Sequence, residues 1–285
     1  MVNIDLEIKR IKYTVDSPQP GSMSAATKET LAEINAKHFD KVSPGDWQQW
    51  VRDLHGQVVE FLISPEFPAW LGLPSQGTCR MLDYACGDGV ISKGLKRHFS
   101  SVVGVDVSGS MLDKYRKTAA DLGCSTDEMV GVRGDLLADN VQPTDPPLPE
   151  EMLHNFDLVV ISMALHHFEN PERALQRLAM RLKVDGVLMV IDWTPLDLST
   201  PAQCRYEEEL RERGESLESV MERVKGHSAR HTVSRPDGFT EADMKGLFKQ
   251  AGCGEVRWKL AEQLSPVPVA GAKGQLFWAR AQKLA

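Results

Sequence analysis

The segment Met81-Leu82-Asp83-Tyr84-Ala85-Cys86-Gly87-Asp88-Gly89, followed by Val103-Gly104-Val105-Asp106, constrains this chain more than any other stretch. A short apolar strand ends at Tyr84 and meets a turn of small residues. A helix opens at once, over residues 90–99, and a second apolar strand then closes on a carboxylate. A strand–turn–helix–strand unit of this kind turns backbone N–H groups and a helix N-terminus toward whatever lies beyond the strand ends. Gly87 and Gly89 supply unusual dihedrals and the missing Cβ that close approach requires. Asp106 lies 17 residues beyond Gly89, near the ~20 at which an acid meets a ribose diol in dinucleotide sites. The unit reads as a pocket for a nucleoside cofactor.

The turn discriminates between nucleosides. A dinucleotide fingerprint reads G-x-G-x-x-G and holds a pyrophosphate. Here the small residues Ala85, Gly87 and Gly89 fall at every second position, and Asp88 puts negative charge where a pyrophosphate would lie. That argues against a nicotinamide oxidoreductase. The spacing resembles the D-x-G-x-G-x-G motif of class I S-adenosylmethionine-dependent methyltransferases. The one departure is Ala85 in place of the first glycine; its methyl group fits if the local φ is negative.

Five further segments resemble the same family, in the family's order. Gly104-Val105-Asp106-Val107-Ser108-Gly109-Ser110-Met111-Leu112 is similar to its second strand and the Ser-led helix that follows. Val132-Arg133-Gly134-Asp135-Leu136 resembles the end of its third strand. Phe156 through Phe168, with His166-His167, resembles the fourth strand and the turn after it. Lys183 through Asp192 resembles the fifth strand. Gly238-Phe239-Thr240 through Ala251-Gly252 resembles the helix before the last two strands. The resemblance spans residues 78 to 282.

From strands alternating with helices we expect an α/β fold, a Rossmann-like seven-stranded and mostly parallel sheet with helices on both faces and an N-terminal helical lid. Residues 1–77 form the arm and lid, and residues 78–285 the methyltransferase core with a helical insertion at about 195–237. Within the first part, residues 1–22 read as an arm. Ser43-Pro44 is a helix start, and Trp47, Trp50, Val51, Leu54, Val58, Phe61 and Leu62 recur at helical steps as a core-facing stripe. Residues 138–151 form a Pro-rich acidic loop. Asn170-Pro171-Glu172 and Thr240 with Asp243 read as helix starts.

Composition narrows the partners. Lys and Arg number 33 against 40 Asp and Glu, for a net charge of −7. A nucleic-acid acceptor is disfavoured, because its backbone calls for a basic surface. No run reaches the length of a membrane span, and the first ten residues lack a secretory apolar stretch. The five cysteines form no C-x-x-C pair and read as reduced thiols in the cytoplasm. The histidines show no ligand spacing with carboxylates, so metal-independent chemistry is expected. The sequence leaves the oligomeric state open.

The resemblance implies a role for each matched residue, with S-adenosyl-L-methionine as cofactor and S-adenosyl-L-homocysteine as product. Asp83 anchors the methionine amine, and the backbone from Ala85 through Gly87 to Gly89 passes beneath methionine and ribose. Asp106 accepts both ribose hydroxyls, Val107 and Met111 flank the adenine, and Asp135 takes the adenine amino group with Leu136 beside it. Ser162 sits near the sulfonium. The N-terminal helices and the insertion form the acceptor pocket, again by resemblance. For a base the candidates are His167, His166 and His231, with Asp192 and His227 also in reach of the role, since imidazole has the fitting intrinsic pKa. Only one of the adjacent His166 and His167 is expected to face the pocket. Asp192, ending the fifth strand, orients the acceptor or caps a loop. The overall pattern most resembles the quinone-biosynthesis and secondary-metabolite branch of the family, which implies a small organic acceptor with an oxygen nucleophile. Nitrogen, sulfur, or a methyltransferase-like regulator acting through a partner are the alternatives.

Overall fold

The computed structural model describes residues 29–41, 49–72, 79–138 and 144–285. Residues 1–22, Ser43-Pro44 and Trp47 lie outside them. The sheet runs in the order β3-β2-β1-β4-β5-β8-β6. Its parallel part comprises β1 (Arg80–Tyr84), β2 (Ser101–Asp106), β3 (Met129–Arg133), β4 (Phe156–Ser162) and β5 (Leu182–Thr194). β8 (Lys273–Lys283) then runs antiparallel between β5 and β6 (Cys253–Leu260). A two-residue strand, β7 (Ser265–Pro266), pairs with β8 and makes the count eight where seven were expected.

β1 pairs with β2 on one side and β4 on the other, so the chain reverses its direction of winding at β1. Connections leave that point toward opposite faces of the sheet, and the crevice between them is where open α/β sheets bind ligands. Asp83 stands there, opposite Gly104 and Val160 in register.

Each face of the sheet is buried by helices. On one face lie α2 (Gln49–Leu62), α4 (Val90–Leu95) and α5 (Gly109–Asp121). Here Val51, Leu54, Val58, Phe61 and Leu62 of α2 are buried at three- and four-residue steps, the core stripe read from the sequence. On the other face lie α6 (Pro171–Ala179) and α9 (Glu241–Gln250). Asn170 caps α6 by accepting from the Arg173 N–H, and Thr240 with Asp243 closes a full capping box on α9.

α5 is seated in an unusual way. Tyr115 is fully buried, and its ring lies over Gly104 of β2 and Gly131 of β3, which are register partners. A Cβ on Gly104 would fall 2.4 Å from the ring, and one on Gly131 2.7 Å. Two adjacent strands therefore forgo side chains at one level to admit one aromatic ring.

The remaining helices are peripheral. α1 (Leu31–Phe39) opens on a Thr30–Glu33 capping box, and Asn35 is its one buried residue. α3 (Phe67–Leu71) follows α2. The 195–237 insertion contains α7 (Pro201–Glu212), α8 (Leu217–Lys225) and a 3-10 turn, Ser228–Thr232. Tyr206, Leu210, Val220 and Ala272 give it a small apolar core of its own.

Candidate active site

The carboxyl ends of β1, β2 and β4 open into a cavity of about 980 Å³, bordered by α1 and by His55 and Val58 in the middle of α2. Its floor is the β1–α4 turn. Gly87 and Gly89 both take positive φ, +54° and +85°. Gly87 lines the cavity, and a Cβ there would meet no protein atom within 4 Å, so it would stand in the cavity itself. Gly89 serves a different purpose. It is absent from the lining, and its missing Cβ makes room for the Tyr115 ring at 3.0 Å.

Ala85 overturns the expectation of negative φ. Its φ is +57°, so the turn holds this alanine in the left-handed region that glycine occupies freely, at roughly 1–2 kcal/mol. Its N-terminal neighbour Tyr84 is locked in β1, and the Cys86 N–H donates to Val105 O at 3.1 Å. Strand pairing and that hydrogen bond leave the turn one geometry, and the methyl group does not change it.

Acidic groups dominate this floor. Asp83, 1% exposed, accepts at Oδ2 from the Ser92 hydroxyl (2.7 Å) and N–H (3.2 Å). Because that hydroxyl spends its proton on Asp83, Tyr115 donates to Ser92 Oγ at 2.9 Å. Burial nevertheless pushes the Asp83 carboxyl up to about 7, with Asp106 and Asp88 adding to it. Asp106 accepts from the Gly87 N–H at Oδ2 (2.9 Å) and the Ser108 N–H at Oδ1 (2.8 Å). Its pKa is raised as well, chiefly by burial. Both carboxylates are thus held where their charge is uncomfortable until a cation or a hydroxyl pair meets them.

Val107, Met111, Asp135 and Ser162 all line the cavity. Asp135 accepts at Oδ1 from the Tyr84 hydroxyl (2.7 Å) and the Leu137 N–H (2.8 Å). Leu136 does not line it: its side chain is 1% exposed in the apolar core, and Leu137 faces the cavity instead.

Of the three histidines proposed as bases, His167 alone lines the cavity. Its Nδ1 donates to Thr232 O at 2.8 Å, which leaves the lone pair on Nε2. Burial and the neighbouring His166 ring, 4.2 Å away, push its pKa down to about 3. His166 is buried outside the cavity lining. Its Nδ1 meets Asp192 Oδ1 at 2.6 Å, and its N–H donates to Asp192 Oδ2. His231 is exposed and outside the lining too, with Nδ1 on Ser228 O and its ring edge-on to His38. His227 caps the 3-10 turn through the Ala229 N–H. Asp192 is fully buried and lies inside β5 rather than at its end, where it positions the His166 loop.

No residue of 195–237 lines the cavity, against the expectation that the insertion walls the acceptor pocket. It acts from behind through Thr232, whose carbonyl receives both His167 Nδ1 and Asn35 Nδ2. Sequence reasoning missed Asn35, Thr232, Ser92 and Tyr84. Only the serine, one turn into the helix after the glycines, carried a local signal. Among the described residues no three His, Cys, Asp or Glu side chains are grouped to hold a metal ion.

A switch-point crevice, a glycine turn beneath it and a buried acid at each of two strand ends make up the site. Residues 82–188 match the family described as a methyltransferase domain, in line with the resemblance of the motifs to class I S-adenosylmethionine-dependent methyltransferases. An uncharacterized methyltransferase of Schizosaccharomyces pombe is 34% identical over 113 residues, covering 39% of this chain and 38% of that protein. The mitochondrial ubiquinone biosynthesis O-methyltransferase of the same yeast is 23% identical over 193 residues, covering 66% of this chain and 65% of that one. The chain thus spans less than two thirds of the length of these relatives. Among solved structures, magnesium protoporphyrin IX methyltransferase from Synechocystis PCC 6803 with bound S-adenosylmethionine shares the fold. The TM-score is 0.56 at 14% identity, over 92% of this chain and all of that one.

Proposed function

We propose that the chain transfers a methyl group from S-adenosylmethionine to a small organic acceptor, with oxygen as the nucleophile. The observation that carries this reading is the pair of buried acids, Asp83 and Asp106, under a cavity that also holds Asp88 and Asp135. Such a floor suits a ligand with an ammonium, a sulfonium and a ribose diol, and it repels a pyrophosphate. Asp83 would hold the ammonium, Asp106 the ribose hydroxyls, Val107 and Met111 the adenine, and Asp135 its amino group. Ala85 and Gly87 give the ligand a close backbone, and Ser162 stands at the β4 end beside the reacting centre. The bound cofactor supplies an activated methyl group and its own leaving group, which leaves positioning and exclusion of water to the protein.

His167 is the acceptor-side group. With Nδ1–H committed to Thr232 O, Nε2 can take the hydrogen bond of an acceptor hydroxyl and turn an oxygen lone pair toward the methyl group. An imidazole with a pKa of about 3 does not deprotonate a resting hydroxyl. It receives the proton late, because an oxygen that is being alkylated becomes strongly acidic. The relative named as a ubiquinone biosynthesis O-methyltransferase supports oxygen. The net charge of −7 supports a small acceptor over nucleic acid. All five cysteines are free, which supports a reducing compartment such as the cytoplasm. No described helix is long and apolar enough to cross a membrane.

The test is transfer of labelled methyl from S-adenosylmethionine into a cell extract split by molecular weight, with Asp106→Ala as control. Label in the small-molecule fraction, lost in the variant, is expected. Label confined to macromolecules overturns the acceptor class. Tight cofactor binding with no label in any fraction favours a regulator acting through a partner.

A further inference from the structure

Asn35 is the one buried residue of α1, 7% exposed, and it lines the cavity. Its Nδ2 donates to Leu31 O at 2.8 Å and to Thr232 O at 3.1 Å. Two carbonyls around the nitrogen fix the amide's orientation, because turning it over would set oxygen against oxygen. Its Oδ1 is then left buried with no hydrogen-bond partner. A buried acceptor without a donor is destabilising. The same Thr232 carbonyl receives His167 Nδ1 and so sets the lone pair of that ring on Nε2. One backbone oxygen of the insertion therefore orients two side chains of the cavity wall, and both are left as hydrogen-bond acceptors.

From this shared anchor we infer that Asn35 is a specificity-determining residue: its Oδ1 receives a second hydrogen-bond donor of the acceptor molecule, beside the hydroxyl held by His167. The substrate class is a small molecule with at least two O–H or N–H donors, one methylated and one read by Asn35. A monohydroxylated molecule satisfies His167 alone and leaves the asparagine oxygen unpaired. The oxygen is closed to solvent, so the donor reaches it as α1 settles over the bound ligand. α1 spans two supports around that oxygen: Asn35 and the His38 ring meet the Ser228–Thr232 turn, and at its end Asp40 accepts from the Ser108 hydroxyl and the Ser110 N–H while Phe39 O accepts from the Ser110 hydroxyl. The inference rests on the methyltransferase reading of the cavity.

Two arms separate the failure of one from the failure of the other. The first is calorimetric titration with S-adenosylhomocysteine; absence of binding would remove the cofactor reading and this inference with it. The second uses protein saturated with S-adenosylhomocysteine and compares a dihydroxybenzoate with the two monohydroxybenzoates derived from it. Wild type is expected to bind the dihydroxy probe at least tenfold more tightly than either monohydroxy probe. In Asn35→Ala that preference for the second hydroxyl should vanish, while S-adenosylhomocysteine affinity and melting temperature stay near wild type. A merely structural role would weaken all probes together and preserve the preference. Should Asn35→Ala fold poorly, Asn35→Leu, which keeps the branching at Cγ and removes the amide, makes the same comparison. Equal affinity for all probes in wild type, or no binding of any while S-adenosylhomocysteine binds, would overturn the proposal.

Discussion

Asp83 makes cofactor binding depend on pH in a way the structure specifies. Its carboxyl is protonated below about 7 in the free protein, because burial outweighs the two hydrogen bonds from Ser92. An ammonium needs the ionised form. The ligand must therefore displace a proton, and the apparent dissociation constant scales as one plus the ratio of protonated to ionised Asp83. With a pKa of about 7, that factor is close to one at pH 8 and about eleven at pH 6, a loss of roughly 1.4 kcal/mol. It rises about tenfold for each further unit of acidification. His167, with its pKa of about 3, stays neutral throughout this window and contributes no slope. The assay is titration with S-adenosylhomocysteine, whose ammonium stays charged over the range, at several pH values from about 5.5 to 8. Asp83→Asn is the control. It should bind about 10- to 100-fold more weakly at pH 8, for the loss of one charge-assisted hydrogen bond worth about 1.5–3 kcal/mol, and should lose most of the acid slope, the remainder belonging to Asp106, whose carboxyl burial also raises. A wild-type affinity flat from pH 6 to 8 would refute the argument, as would an acid slope undiminished in Asp83→Asn.

Other outcomes follow from the same geometry. Asp106→Ala should weaken S-adenosylhomocysteine by about 1.5–3 kcal/mol for each charged hydrogen bond lost; unchanged affinity by calorimetry would show that the ribose sits elsewhere. Gly104→Ala drives a methyl group into the Tyr115 ring, and overpacking of that kind costs about 1–3 kcal/mol. In a Tyr115→Ala background the same change should cost little, a coupling that denaturant melts of the double-mutant cycle would reveal. Ala85→Gly relieves a positive φ and should raise stability by up to about 1 kcal/mol, the gain being trimmed by the greater freedom of glycine in the unfolded chain. His167→Phe should lower kcat while leaving the cofactor dissociation constant within about twofold, whereas His166→Phe, by leaving Asp192 buried without its partner, should lower the melting temperature.

How far the sequence could be read depended on how local each determinant was. The β1–turn–α4–β2 unit was legible because its glycines, apolar runs and terminal acid all act within about thirty residues. The capping residues of α6 and α9 were legible for the same reason. Ala85 was misjudged because a rule about one residue's sterics met a turn that strand pairing dictates. Leu136 and Leu137 differ by one position, and only the path of the chain after β3 decides which of them enters the core. Gly89 was assigned to the ligand although its missing side chain serves Tyr115, a residue on another helix. Asn35 and Thr232 stand 197 positions apart, and no periodicity, spacing or composition connects an asparagine in a lid helix to a carbonyl in an insertion. The histidine pair shows the same limit: alternation says that one ring faces inward, but the choice rests on Asp192.

The ring of Tyr115 also acts on α5 as a key in a slot. Gly104 and Gly131 form the floor of that slot, and Gly89 and Ser92 form its wall. The helix cannot slide along its axis by even a fraction of a turn without driving the ring against side-chain-bearing positions on either side. Its N-cap is Ser108 and its first-turn Met111 borders the cavity, so the edge nearest Asp106 is registered to the sheet from below as well as bonded to the end of α1. The surface against which a ligand is measured therefore takes its position from the middle of β2 and β3, through one aromatic ring.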